Sequence, residues 1–318
     1  MPSTRTRWND SGCRCDRDAV LRPRRSRLAH AVQGFSYPAL EFGLTSFPPL
    51  LLAAFRFDLA GLLLLGFVAV RSDHWVPRTR DDLVSIAAGG VVLIAVGNGA
   101  WTVGQGLTTS ALSGVMVSIS PLLTAGFSWI LLPEDRLSAG GVAGLAVGFG
   151  GALLIMLPDG PLRVGPGLLG KGLIFAGIAS VALGGVLIRW ADPELPVAAQ
   201  SAWSMVVGAA FLHVFSIAIR ERPADVTPTT EGLLALAYLA VLSGLVANLV
   251  YYSLLQRRSA IEISLTTYVV PVVAATAGWA LFGDPVTPSM IGGFLVVLVG
   301  FGLLKRQTLR REVEQVGF

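Results

Sequence analysis

Ten stretches of this 318-residue chain run on apolar residues with almost no charge, divided by Pro, Gly and charged breaks. They are residues 29–44, 49–70, 83–106, 111–132, 140–157, 168–188, 197–219, 233–255, 261–282 and 290–304. A helix that packs on a soluble core is apolar along one stripe, whereas these are apolar all round. Stretches near 20 residues match the roughly 30 Å hydrocarbon core of a bilayer at about 1.5 Å per residue. Composition agrees, with 53% hydrophobic and 14% charged residues against about 25% charged in soluble domains. The expectation is an all-α integral membrane protein with ten transmembrane helices. Connections such as residues 45–48 and 107–110 force antiparallel neighbours, and no soluble domain fits between spans.

The net charge of +4 and pI near 9.4 point to nucleic acid only if the basic residues form a patch on a soluble fold. They do not. Arg5, Arg7, Arg14, Arg17, Arg22, Arg24, Arg25 and Arg27 crowd the first 33 positions against Asp10, Asp16 and Asp18. That leaves the arm at +5 and the rest of the chain at −1. Cys13 and Cys15 also lie in the arm, with no further Cys or nearby His to complete a zinc set, and their number excludes a disulfide framework. His30, Gln33, Pro38 and Glu41 interrupt the following stretch, so a cleavable signal peptide is not expected. Basic residues at helix ends stay cytoplasmic. Counting them by loop places the arm, Arg71, Arg78, Arg80, Arg136, Arg189, Arg257, Arg258, Lys305, Arg306, Arg310 and Arg311 inside, against Arg163, Lys171, Arg220 and Arg222 outside. Both termini are predicted to be cytoplasmic in a multi-pass cell-membrane protein.

Shifting the chain by 150 residues superposes rare residues: Asn98 on Asn248, Pro121 on Pro271, Trp129 on Trp279 and Gly150 on Gly300. A shift of 147 adds Pro49 on Pro196 and Gly61 on Gly208. Each repeat holds five spans, and an odd number inverts the second copy, the device of inverted-topology transporters. The expected organisation is a basic, disordered arm at 1–28, a first repeat at 29–157, a second at 168–304 and a cytoplasmic tail at 305–318. The same shift sets the start of the sixth span over Leu21–Arg27, where the repeat expects apolar residues and the chain is Arg-rich. The first helix is therefore expected to be shortened or irregular, its inner half replaced by the arm.

Phe47-Pro48-Pro49-Leu50 leading into Ala54-Phe55-Arg56-Phe57, Ser113 to Trp129 around Pro121, and the repeat tails Gly148–Leu154 and Gly300–Leu304 together resemble the drug/metabolite transporter superfamily, in its ten-helix type with two EamA domains. The resemblance covers about Gly34 to Leu304. It implies secondary transport, often outward, of amino acids, related metabolites or drug-like amphiphiles. It also implies a full-length first helix lining the translocation route, and there this chain departs.

Pro121 and Pro271 each fall eleventh in their span, near the bilayer midplane, where each removes an amide donor and frees the carbonyl of Val117 or Thr267. Exposed backbone at that depth lines a cavity or is covered by protein. Ser113, Ser118 and Ser120 flank one proline, and Ser264, Thr267 and Tyr268 the other, with Ser264, Tyr268 and Pro271 sharing a face. The alternative is a packing kink closed by a hydroxyl. Asn98 and Asn248 are each sixteenth in their span, on opposite sides of the midplane, and an amide recognises both charged ends of a zwitterion without a buried charge. Trp101, Tyr251 and Tyr252 offer aromatic walls, and the alternative for the two Asn is interhelical hydrogen bonding. Intramembrane ionisable groups are functional candidates. A Glu41–Arg56 pair spans the turn at 45–48, and Asp58, off that face, is a candidate proton carrier that would couple export to the proton gradient. His213 reads as a packed polar residue. Gly140, Gly144, Gly148 and Gly151, echoed by Gly292, Gly293, Gly300 and Gly302, suit close helix packing, within the chain or across a homodimer.

The leading expectation is thus an exporter working by alternating access at a midplane site, with a small-molecule substrate, the lipid bilayer and protons as partners and with no cofactor and no nucleic acid. A membrane-embedded enzyme is the alternative, but the spans hold no Cys and few ionisable groups. A defective, non-transporting paralogue is another, because of the first helix. No G-x-x-x-x-G-K-[ST] loop is present, so ATP drive has no support.

Overall fold

The computed structural model describes residues 33–157, 165–246 and 268–306, and no strand occurs among them. The helices are α1 Ser36–Leu44, α2 Pro49–Arg71, α3 Arg80–Gln105, α4 Ser110–Leu131, α5 Ala139–Met156, α6 Pro166–Ala191, α7 Val197–Ala218, α8 Thr230–Gly244, α9 Val269–Phe282 and α10 Pro288–Leu304. Six of them, α2 to α7, are long and apolar enough to cross a membrane, and α8, α9 and α10 are shorter apolar helices. Exposed side chains such as Leu62, Val70, Ile130, Leu153 and Ile217 give the bundle the apolar exterior that lipid requires.

Helix starts follow local chemistry. Thr79, Thr109, Ser138, Thr229 and Thr287 each cap a helix, accepting the backbone N–H of Asp82, Leu112, Gly141, Gly232 and Met290. At Thr79 the Asp82 carboxylate completes a capping box. The cap draws α3 back to Arg80, ahead of the start at 83 expected from apolarity, because its first turn is polar. α4, expected as one span, is broken by a 3-10 turn at Val117–Ile119 immediately before Ser120 and Pro121, where the proline withholds its amide. Two departures carried no sequence signal: α3 is π-helical over Ala88–Asn98, and the α8 segment is π-helical over Tyr238–Val246. The two π segments start 150 residues apart. α1 is a nine-residue helix, about 14 Å long; the arm and the expected first helix before residue 33 lie outside the described residues.

The long-range contacts set helix directions. α2 runs antiparallel to α7, with Gly61 against Met205 and Val206 and Leu50 near the far end at Glu221. α3 is antiparallel to α6, Gly97 meeting Val181 and Gly104 meeting Gly170 and Ile174. α5 and α10 are antiparallel and very close, with Gly144 against Gly300 and Gly151 against Gly293. The small-residue face is thus used inside the chain. A Cβ on Gly300 would lie 2.5 Å from the Gly148 amide nitrogen, whereas one on Gly302 meets nothing within 4 Å.

Gly300→Ala is therefore expected to destabilise the protein by roughly 1–3 kcal/mol, an overpacking cost. Gly302→Ala on the same helix should be neutral or mildly stabilising, since glycine inside a helix costs about 0.5–1 kcal/mol relative to alanine. Thermal unfolding of the two variants in detergent separates them, and equal shifts would contradict the α5–α10 contact.

Candidate functional site

A cavity of about 120 Å³ lies where α1, α2, α3 and α8 meet, lined by Gln33, Ser36, Tyr37, Leu40, Arg56, Asn98, Trp101, Thr102 and Ser243. Arg56 stands in the second turn of α2, its guanidinium over the Phe57 ring at 4.4 Å. Its Nη2 donates to Asn98 Oδ1 at 3.0 Å, and Asn98 Nδ2 donates to the Leu93 carbonyl at 3.1 Å. Both ends of the Asn98 amide are therefore engaged. Leu93 and Asn98 both belong to the π-helical stretch, and this geometry, frequent at functional sites, brings the side chain back onto a carbonyl five residues earlier.

The α1 wall is held by three contacts. Gln105 Nε2 donates to the Tyr37 carbonyl at 2.8 Å, the Tyr37 and Trp101 rings lie 5.5 Å apart, and Ser36 Oγ donates to Ser243 Oγ at 2.7 Å. The last bond ties α1 to the π segment of α8. Trp101 lines the cavity, and its Nε1–H is buried with no acceptor. Ser36, Tyr37, Gln105 and Ser243 were not singled out by sequence reasoning. Gln105 was the most findable, as one of two amides, with Asn98, in an apolar run; Ser243 carried no signal, since its importance comes from the partner across the bundle.

Other candidates go elsewhere. The expected Glu41–Arg56 pair does not form. Glu41 Oε2 accepts the Ser110 backbone N–H at 3.1 Å at the start of α4, beside Asp284, whose Oδ2 accepts from Ser110 Oγ at 2.8 Å and the Ala111 N–H at 2.9 Å. The reason is depth: Glu41 lies three residues from the end of α1 and Arg56 seven residues into α2, a mismatch of about 6 Å at 1.5 Å per residue. Asp58 meets His213 of α7, Oδ2 to Nε2 at 2.7 Å, so His213 is a partner rather than packing. Ser118 is buried with its hydroxyl unpartnered, beside the 3-10 turn. Tyr268 packs on Phe294 and Phe301, its hydroxyl likewise unpartnered. Pro271 lines a separate apolar cavity of about 220 Å³ with Trp279, Met290 and Phe294. Neither proline lines the Asn98 cavity, although Val270 and Ala274, with Val117 against them, pack on Tyr37 and Trp101 of its wall. Asn248, Tyr251, Tyr252 and Ser264 lie outside the described residues.

Charged side chains close the bundle ends. Glu221 accepts the N–H groups of Leu50 and Leu51, each at 3.0 Å, at the start of α2, which has no side-chain cap of its own. Asp82, fully buried, accepts from Arg78, Thr79 and Leu195, each at 3.0 Å.

Comparison with known proteins assigns this architecture. The model of the EamA-like transporter family matches residues 28–157 and again 168–305. The uncharacterized inner membrane transporter YedA of Escherichia coli strain K12 is 31% identical over 256 residues, 80% of this chain and 81% of YedA. The uncharacterized transporter YvbV of Bacillus subtilis strain 168 is 24% identical over 286 residues, 89% and 91% of the two chains. One solved structure, titled only as the crystal structure of a protein, superposes with a TM-score of 0.63 at 18% identity, over 90% of this chain and 98% of its own. The chain belongs to the EamA-like transporter family. It is a multi-pass membrane transporter, and its family and relatives are transporters rather than enzymes.

Asn98→Leu removes the acceptor that holds Arg56. Transport is expected to fall to background, and thermal stability to fall by roughly 1.5–3 kcal/mol, the worth of a hydrogen bond with one charged partner, so flux is read per folded protein. Wild-type flux in a folded Asn98→Leu protein would remove this residue from the site.

Proposed function

We propose that the chain is a secondary active exporter of small polar metabolites such as amino acids, or of drug-like amphiphiles, working by alternating access of two inverted five-helix repeats at 29–157 and 168–304. The observation that carries the reading is the mixed-polarity cavity of Arg56, Asn98, Trp101 and Ser243, because it draws on both halves of the chain. Sites at repeat interfaces, formed by interrupted helices near the midplane, are the transporter pattern. The antiparallel α2–α7 and α5–α10 pairs and the two π segments 150 residues apart support inverted repeats. Asn248, Tyr251 and Tyr252 are the proposed counterparts of Asn98 and Trp101 in the second half, with Ser118, Pro121, Ser264, Tyr268 and Pro271 along the route. Arg71, Arg78, Arg80, Arg136 and Arg189 belong to the end where Asp82 meets Leu195 and Arg189 meets Asp135, which supports that end, and both termini, as cytoplasmic.

Asp58 is the proposed proton carrier. Its bond to His213 joins α2 of one repeat to α7 of the other, so protonating the carboxylate weakens a contact between the parts that must rock. In proteoliposomes with an imposed pH gradient, the wild-type protein should move members of an amino-acid panel faster than without it. Asp58→Asn should lose that acceleration and keep exchange across equal pH. Unchanged acceleration in the variant rules out the proton role, and no flux of any panel member, with or without a gradient, counts against export of this class.

A further inference from the structure

Arg56 is a cation inside a membrane protein with no carboxylate partner among the described residues. Its guanidinium meets the Asn98 Oδ1 and the Phe57 ring, and the cavity lining holds no Asp or Glu. A guanidinium presents five N–H donors and no acceptor, and Asn98 takes one of its nitrogens. The Trp101 Nε1–H is buried without an acceptor, and the Asn98 amide is spent at both ends. The unused donors of Arg56 and Trp101 thus adjoin a positive charge with no carboxylate partner among the described residues. Intramembrane charges are expensive and are normally paired.

We infer that the cavity binds the anionic group of the cargo, a carboxylate, on the Arg56 guanidinium and the Trp101 indole N–H, with Asn98 as the residue that positions Arg56. Two oxygens of one planar anion match the guanidinium fork, which a single-point cation such as lysine does not reproduce. The apolar part of the cargo then lies against Tyr37 and Leu40. At about 120 Å³ the space suits a small acid rather than a lipid or a nucleotide. The inference rests on the transporter reading of the same cavity and names its substrate class.

The test uses purified full-length protein in lipid nanodiscs. Thermal stabilisation is titrated with the straight-chain carboxylates from acetate to hexanoate, each against its uncharged amide at the same pH, with L-alanine against the cationic L-alaninamide, and with inorganic phosphate as a second anion. The wild-type protein is expected to bind at least one carboxylate about tenfold or more tightly than its amide. Arg56→Gln should abolish the difference and Arg56→Lys should weaken it. Trp101→Phe, which keeps the ring and loses the N–H, should narrow it, and Asn98→Leu should weaken binding of the acid while some preference for acid over amide remains. Equal binding of acid and amide by the wild type, no stabilisation by any carboxylate, stabilisation by phosphate alone, or an undiminished preference in Arg56→Gln overturns the inference. The wild-type comparison decides even if Arg56→Gln fails to fold. Flux in proteoliposomes separates the two readings: carboxylate binding without flux of any compound strikes the transporter reading alone, and flux of amides and acids at equal rates strikes the anion site alone.

Discussion

Hydrocarbon offers no hydrogen bonds, so every polar group of a helix in a bilayer must find its partner inside the protein. In this chain that constraint is met at the helix starts with few charged groups, while Trp101, Ser118 and Tyr268 keep unpartnered polar atoms inside the bundle. At the bundle ends, carboxylates close the open N–H groups of helix starts from a distance in sequence: Glu221 on α2, Glu41 and Asp284 on α4, and Asp82 on the residue leading into α7. Each such bond is worth roughly 1.5–3 kcal/mol where one partner is charged. A handful of them holds an end shut without making it permanent. Because they sit at the ends of the bundle, opening an end exchanges them for water rather than stranding them in lipid, which suits the proposed alternating movement.

Between the ends the packing is almost featureless chemically, and glycine sets it. The α5–α10 pair approaches until Gly300 and Gly148 touch through backbone, a contact driven by dispersion rather than by exclusion of water. α2 and α7 instead meet through Gly61 and through one polar bond, Asp58 to His213. The first pair has no titratable contact and reads as scaffold. The second joins the halves of the chain through a group that can change charge, and the proposed coupling depends on that difference.

The long apolar runs made most helices legible, because an uninterrupted apolar surface has one use in a chain of this composition. Helix starts were less legible, since a capped first turn such as Arg80–Asp82 is polar and lies outside the run. The π segments were invisible: Gly89, Gly90 and Gly97 read as ordinary small residues, and the widened turn depends on what packs there, Ser204, Val207 and Val181. The paired offset singled out Asn98, and the rarity of charge singled out Arg56 and Asp58, but each also has a partner on another helix, up to 155 residues away. Glu41 and Arg56 looked joined because the turn between them is short, and a difference in depth of one helical turn separated them.

Asn98 explains why Arg56 is stable without being neutralised. An amide oxygen lowers the cost of holding a guanidinium in the membrane interior and fixes its direction, yet it carries no net charge. A carboxylate in its place would form a closed ion pair and fill the position a ligand could take. The amide is itself held by the Leu93 carbonyl, which the π-helical turn brings within 3.1 Å. The irregular backbone, the neutral partner and a cation with no carboxylate beside it among the described residues therefore form one device: the helix deforms so that the amide is anchored, and the amide is anchored so that the charge stays aimed at the cavity. On the proposed reading, a cation with no carboxylate beside it among the described residues is what makes an anionic cargo the group that fits the cavity.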